Sequence, residues 1–380
     1  MREGWKKVSL SELGFVGRGK SRHRPRNANF LFGDRYPFIQ TADVKAANYK
    51  ITSFTTMYSE DGLKQSKLWP KNTLCITIAA NIADSSILAI EACFPDSVIG
   101  FIADDNKSDV RFVKYLFDLL QVRIKQISQG AAQDNLSLEK LETIKFEVPE
   151  LPTQRKIASI LSGYDNLIEN NLKRIKLLEE KAQLTYEEWF VKMRFPGYET
   201  AKFDKVTGLP EGWKEKNFGE LTETMQYGYT ESASNEPVGP KFLRITDIVG
   251  FNINWENVPY CLISDKEKSK YLLREGDIVV ARTGATVGYA KRINKNCPEA
   301  VFASYLIRLK LKSEIDDVLM GVYVESKSFL KMVQNMAGGA AQPNANAPVL
   351  RQIEMIVPSK DMQLKFRHLV IEPVGCNYFK

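Results

Sequence analysis

The chain has 380 residues, 44% hydrophobic and 26% charged, an ordinary globular composition long enough for two domains with separate cores. Only two histidines (His23, His368) and five scattered cysteines (Cys75, Cys93, Cys261, Cys297, Cys376) occur, with no C-x-x-C pair, which argues against a Cys/His metal site, a disulfide framework and a histidine-based triad. A net charge of +7 mildly favours an anionic partner; the apolar runs fall short of the ~20 residues of a membrane span and the start lacks a signal-peptide core, so a cytoplasmic, non-membrane protein is expected.

Gly4-Trp5 opens a segment that soon turns basic: Arg18, Lys20, Arg22, Arg24 and Arg26 alternate through residues 17–27, with His23 among them. A strand would put all five on one face and a loop would put them on an arm. Either suits phosphates, or bases through a bidentate Arg–guanine pair; a solvated basic loop is the alternative. A strand is predicted around residues 38–41, where Gln40 suits a base contact or a structural hydrogen bond. Lys64 and Lys67 offer phosphate contacts or plain surface charge. A second strand is predicted at 74–78, and apolar spacing predicts a helix over 110–126. Gly130-Ala131-Ala132-Gln133-Asp134-Asn135 reads as a structural turn, since it lacks the Gly-Lys-Ser/Thr of a phosphate loop. Val148-Pro149 closes the segment.

Residues 153–192 follow a heptad. One seam is Leu161, Ile168, Ile175, Ala182 and Trp189; the other is Ile157, Tyr164, Asn171, Leu178 and Thr185, with charges on the outer faces. This is a coiled-coil pattern with Asn171 as a polar register pin. Forty residues make a rod of ~60 Å. Pro149 and Pro152 are expected to stop the preceding domain, and Pro196-Gly197 the helix.

Beyond the helix the chain repeats itself. Gly212-Trp213 answers Gly4-Trp5, and Phe242–Ile248 answers Phe38–Val44. Gly276-Asp277-Ile278-Val279-Val280 answers Asn72-Thr73-Leu74-Cys75-Ile76. Gly339-Ala340-Ala341-Gln342-Pro343-Asn344 answers the turn before Val148-Pro149, and Gln363 answers Gln154, all at offsets of about 204–209 residues. Strands are predicted at 242–245 and 278–281 and a helix over 314–336, so each copy is an α+β domain. Arg244 stands where the first copy has Gln40. Lys268 and Lys270 parallel Lys64 and Lys67 as phosphate candidates. Arg282-Thr283-Gly284 follows a strand and suits either close approach to DNA or a tight turn; the first copy has Ala79-Ala80-Asn81-Ile82 there, without an arginine. Tyr227-Gly228-Tyr229 stands where the first copy is basic. Two like domains on a rigid spacer suit a long polymer read at two places, and the charge makes DNA the first candidate.

The ordered motifs, doubled around a heptad helix, resemble the DNA-specificity (S) subunit of type I restriction–modification systems over nearly the whole chain. They are the Gly-Trp opening, Gly-Asp-Ile-Val-Val-Ala-Arg-Thr-Gly-Ala-Thr-Val-Gly (276–288), Gly-Gly-Ala-Ala-Gln-Pro-Asn (338–344), Val-Pro, and a Gln-led helix. The resemblance implies two target-recognition domains (1–152 and 195–358) in a pseudo-twofold arrangement. A central spacer helix (153–194) and a short second helix (359–380) complete the chain. It implies a non-catalytic subunit that reads a bipartite site in double-stranded DNA and docks two methyltransferase (modification) subunits, which carry S-adenosylmethionine. Restriction/translocase subunits join the full complex.

Three other readings compete with this one. A nuclease drawn from Pro95-Asp96 and Asp105-Asn106-Lys107 fails at the aligned Pro298-Glu299 and Arg308-Leu309-Lys310, which lack the key acid. An adenine methyltransferase lacks its Pro-Pro-aromatic motif. A scaffold pairing two proteins would show no salt-sensitive DNA binding. The second helix shortens at Pro373 and Gly375. Most of the seam, including Ile175, Leu178 and Trp189, is therefore expected to lack a partner within the chain, and to be covered by a modification subunit or by the same helix of a second copy.

Overall fold

Each half turns on a residue with left-handed backbone. Asn72 (φ 67°) and Gly276 (φ 88°) lead into equivalent buried strands, a conformation glycine adopts freely and asparagine tolerates. The computed structural model describes residues 4–47, 49–78, 83–129, 136–250, 252–338 and 344–371, except the side chains of 122–129. It divides into two compact units, Met1–Leu172 and Lys173–Lys380.

The first unit runs β1 (Lys6–Val8), α1 (Leu10–Leu13), β2 (Gly14–Arg18), β3 (Phe32–Phe38), α2 (Thr41–Ala46), β4 (Lys50–Ile51), β5 (Thr56–Tyr58), α3 (Glu60–Lys64), β6 (Leu68–Trp69), β7 (Leu74–Thr77), β8 (Ser85–Leu88), β9 (Ala92–Cys93), β10 (Val98–Ala103), α4 (Val110–Gln129), α5 (Leu138–Thr143) and β11 (Phe146–Val148). Its sheets are ordered β2-β10-β7-β8-β4 and β5-β3-β9-β6, and β1 pairs with β11. Leu74, Ile76, Ile99 and Phe101 on the larger sheet pack against Phe112, Val113 and Phe117 of α4. The helix α6 (Leu151–Tyr186) follows without a break.

After a π-helical turn at Glu187–Val191, the second unit runs β12 (Lys214–Asn217), α7 (Phe218–Leu221), β13 (Thr222–Tyr227), β14 (Lys241–Leu243), α8 (Asp265–Tyr271), β15 (Ile278–Ala281), β16 (Ala290–Arg292), β17 (Ala300–Phe302), β18 (Leu306–Leu311), α9 (Asp317–Val324), α10 (Lys327–Ala337), α11 (Ala347–Arg351), β19 (Glu354–Val357) and α12 (Lys360–Ile371). The order β13-β18-β15-β16 repeats β2-β10-β7-β8, β12–β19 repeats β1–β11, and the parallel pair β14–β17 repeats β3–β9. Two α+β domains of one design are therefore present.

The repetition reaches individual hydrogen bonds. The N–H of Ser9 donates to Glu12 (2.6 Å) and that of Asn217 to Glu220 (3.1 Å), so α1 and α7 start on the same reciprocal cap. The N–H of Gln40 donates to Asp43 (2.8 Å) and that of Arg244 to Asp247 (2.9 Å). Gln154 and Gln363, each 1% exposed, tie the helix start to the body of each unit. Nε2 of Gln154 donates to the Lys107 and Pro149 carbonyls, and its Oε1 accepts from the N–H of Asp109. Nε2 of Gln363 donates to the Glu314 and Pro358 carbonyls, and its Oε1 accepts from the N–H of Asp316.

Several expectations are corrected. The strand foreseen at 38–41 ends at Phe38, because the Gln40–Asp43 cap starts α2 at Thr41. The helix foreseen over 314–336 is two helices, because the Ser326 hydroxyl accepts from the N–H of Phe329 and starts α10 afresh. Pro152 does not precede the long helix but lies in its first turn, where its missing N–H costs nothing.

The seam of α6 is corrected in part. Leu161, Tyr164, Ile168, Asn171 and Ile175 are exposed among the described residues, together with Ile160, Leu167 and Leu172. Ile157 packs on the first core, and Leu178 is half-buried. Ala182 is buried, and Trp189 has a partner within the chain: its ring lies 5.9 Å from Phe366 of α12 and 6.0 Å from Phe190. Residues 373–380, with the expected helix breakers, fall outside the described residues, as do 79–82, 130–135 and 339–343. No helix among the described residues is long and apolar enough to cross a membrane, and no described cluster of His, Cys, Asp and Glu could hold a metal ion.

Candidate nucleic-acid interface

The alternating basic cluster does not lie on one strand face. Only Arg18 belongs to β2, and residues 19–28 form an arm without regular structure. Asp96 holds that arm in shape. Arg26 donates to both of its carboxylate oxygens at 2.8 Å, Arg24 lies 3.9 Å away, and Nε of Arg18 donates to its backbone carbonyl. The arm is also pinned to Gln65, which accepts from the backbone N–H groups of Arg22 and His23. At its end the His23 ring meets Phe30 edge-on at 4.9 Å, and Phe30 is half-exposed. Among the described residues, the side chains of Lys20 and Arg22 meet no carboxylate. The arm therefore splits into three arginines that shape it and two cations left to the solvent.

Lys67 does not face open water. Its ammonium stands 3.8 Å from the Trp69 ring centroid and 4.7 Å from that of Phe15, an exposed residue of β2. Burial lowers its pKa, and the neighbouring charge of Lys20 adds to the effect. Lys64 is paired with Asp61 at 2.8 Å, and Gln40 donates to the Thr56 hydroxyl at 3.1 Å.

In the second unit most of the sequence candidates are already neutralised. Arg244 makes a two-pronged pair with Asp247 (3.0 and 2.8 Å), which raises its pKa. Lys268 sits between Asp265 and Glu299 at 3.3 Å each, and Lys270 pairs with Glu267 at 2.6 Å. Arg282 differs. Its Nε donates to the Ser304 carbonyl at 3.0 Å, and its guanidinium lies 5.0 Å from the Tyr227 ring centroid, with no carboxylate beside it among the described residues. Thr283 bridges to Asn344, and Gly284 adopts φ 73° with open space where a side chain would start. Tyr305 beside Arg282 is half-exposed.

Sequence reasoning missed Asp96 as the anchor of the arm, and Tyr227, Phe15 and Trp69 as the rings that position cations. The signal for Tyr227 was present in Tyr227-Gly228-Tyr229, which stands out for its rings as much as for its lack of charge.

Comparison with known proteins agrees with the doubled architecture. A family model for the type I restriction modification DNA specificity domain matches residues 2–180 and again residues 210–366. The type I restriction enzyme MjaVIII specificity subunit of Methanocaldococcus jannaschii is 29% identical over 273 residues, spanning 68% of this chain and 63% of that relative. The MjaIX specificity subunit of the same organism is 23% identical over 97% of this chain and 86% of its own length. The crystal structure of the S subunit of a type I restriction–modification system from M. genitalium shares the fold, with a TM-score of 0.58 at 15% identity over 96% of this chain and 88% of that one. With one family match in each structural unit, the chain belongs to the type I restriction–modification DNA specificity family.

Proposed function

We propose that this chain is the non-catalytic, sequence-reading subunit of a cytoplasmic type I restriction–modification complex, and that each domain reads one half of a split site in double-stranded DNA. One observation carries the reading: the domain is doubled down to its caps and glutamine pins, while its surface chemistry is not. The first domain offers an arm with Lys20, Arg22 and Phe30; the second offers Arg282 beside Tyr227 and Tyr305. A shared scaffold with different reading groups fits two different half-sites. The intervening base pairs are left unread, and α6 sets their number.

The exposed apolar face of α6, from Ile160 to Ile175, is the docking surface for the two methyltransferase subunits. Those subunits bind S-adenosylmethionine, and restriction/translocase subunits complete the assembly. Pairing of α6 with the same helix of a second copy is the competing use of that face. The nuclease reading loses its acid, because Asp96 is committed to the arginines of the arm.

The test is an exchange of residues 1–150 for the first domain of another family member, followed by methylome mapping of a host carrying the chimaera with its methyltransferase. One half of the methylated motif should change and the other stay. A change in both halves would overturn independent reading. An unchanged motif would assign the first domain a role away from DNA.

A further inference from the structure

Arg282 stands apart from the other cations of the second domain in how it is held. Its backbone N–H donates to the Tyr305 carbonyl at 3.0 Å, and its own carbonyl accepts from Ala345 at 2.8 Å, so the stem leaves β15 in a fixed direction. The guanidinium is oriented twice more, by Nε donating to the Ser304 carbonyl and by the Tyr227 ring. Tyr227 is itself fixed, since its hydroxyl accepts from the N–H of Ala347 at 3.1 Å. The terminal nitrogens Nη1 and Nη2 make no hydrogen bond among the described residues. Tyr227 is 39% exposed, which puts one flat, solvent-facing ring beside the charge.

The rigid guanidinium fork matches in shape either a phosphate or a planar acceptor pair. With Nη1 and Nη2 unpartnered among the described residues and the exposed Tyr227 ring, a face that suits a base, beside the guanidinium, the planar pair is the better fit. In the DNA major groove that pair is O6 and N7 of guanine. We infer that Arg282 reads a guanine in the half-site of the second domain, donating from Nη1 and Nη2 to O6 and N7. The inference rests on the half-site reading above and assigns a base to one residue of it.

The experiment is methylome mapping of hosts carrying the methyltransferase with the wild-type chain, Arg282→Ala or Arg282→Gln, alongside binding of the purified complexes to duplexes in a salt series. The wild-type motif should be bipartite and contain guanine in the second half. Arg282→Ala should relax that one position, with discrimination falling by roughly 5- to 150-fold. Arg282→Gln should move the preference there from guanine toward adenine, the base a side-chain amide pairs with. Three outcomes overturn the inference: a wild-type second half without guanine, an unchanged motif in both variants, or a uniform loss of affinity with a shallower salt slope, which marks a phosphate contact. A wild-type chain that directs no bipartite methylation overturns the half-site reading itself, and so is distinguishable from these.

Discussion

Replacing Gln363 with alanine removes one side chain that serves three backbone groups. Its Nε2 donates to the carbonyls of Pro358 (2.8 Å) and Glu314 (3.1 Å), and its Oε1 accepts from the N–H of Asp316 (2.7 Å). The residue is 1% exposed, so water does not replace those bonds freely. At ~1 kcal/mol net for each bond, and more where a group is left unmet, the second unit should lose about 3 kcal/mol. The damage should be local before it is global. Asp316 caps α9 by accepting from the N–H groups of Val318 and Leu319, and it loses its alignment when its own N–H is orphaned. Urea denaturation followed by tryptophan fluorescence gives the stability, and hydrogen exchange at residues 316–319 gives the location. Gln363→Met fills the volume without restoring the bonds and should recover little. Gln154→Ala should produce the same pattern in the first unit, somewhat weaker, since its bond from the Asp109 N–H is longer at 3.3 Å. A loss below ~1 kcal/mol with unchanged exchange at α9 would refute the view that these glutamines pin helix to domain.

Two further outcomes are expected. Lys20→Ala with Arg22→Ala should reduce the salt slope of DNA binding by about 2, whereas Arg26→Ala should change it far less because Asp96 already meets its charge; equal changes in a fluorescence-anisotropy salt series would contradict that division of the arm. Glu179 of α6 is pushed up to about 7 by burial, with Glu325 adding to the rise and Lys291 opposing it. The folded state then holds this proton more tightly than the unfolded chain. Stability should fall as pH rises from the ordinary carboxyl value toward 7, and stay lower above it. Glu179→Gln should flatten that slope and raise stability at pH 8 by ~1 kcal/mol, after allowance for screening of a half-exposed group. Matching urea midpoints for both proteins at pH 5 and pH 8 would count against it.

The tandem design was legible because the residues that repeat are those with fixed backbone tasks. Asn72 and Gly276 share a left-handed turn, Asp43 and Asp247 close the same cap, and Gln154 and Gln363 make the same three bonds. Such positions tolerate few side chains, so they survive while apolar neighbours drift. The misreadings came from giving apolar spacing precedence over caps. Gln40 with Asp43 three residues on, and Ser326 before Lys327–Ala337, were helix-start signals inside stretches read as strand and as continuous helix.

The site was less legible, and the reason is sequence distance. Counter-ions close in sequence could have been foreseen from spacing: Asp61 for Lys64, Asp247 for Arg244, Glu267 for Lys270. Asp96 for Arg26 and Glu299 for Lys268 come from elsewhere in the fold, and they decide which cations remain available. The heptad on α6 shows the same limit from the other side. Spacing identified an apolar seam expected to lack a partner within the chain, but not which residues of the helix the domain itself takes. In the first unit the helix buries Gln154, Ala158 and Ser162, a stripe of small and polar residues that permits close approach and hydrogen bonding. The larger apolar residues, Leu161, Tyr164, Ile168 and Ile175, are left outside. Burying them in the domain would have been the cheaper arrangement for a helix whose only task was folding. Their outward placement is the observation on which the proposed docking of another chain against α6 rests.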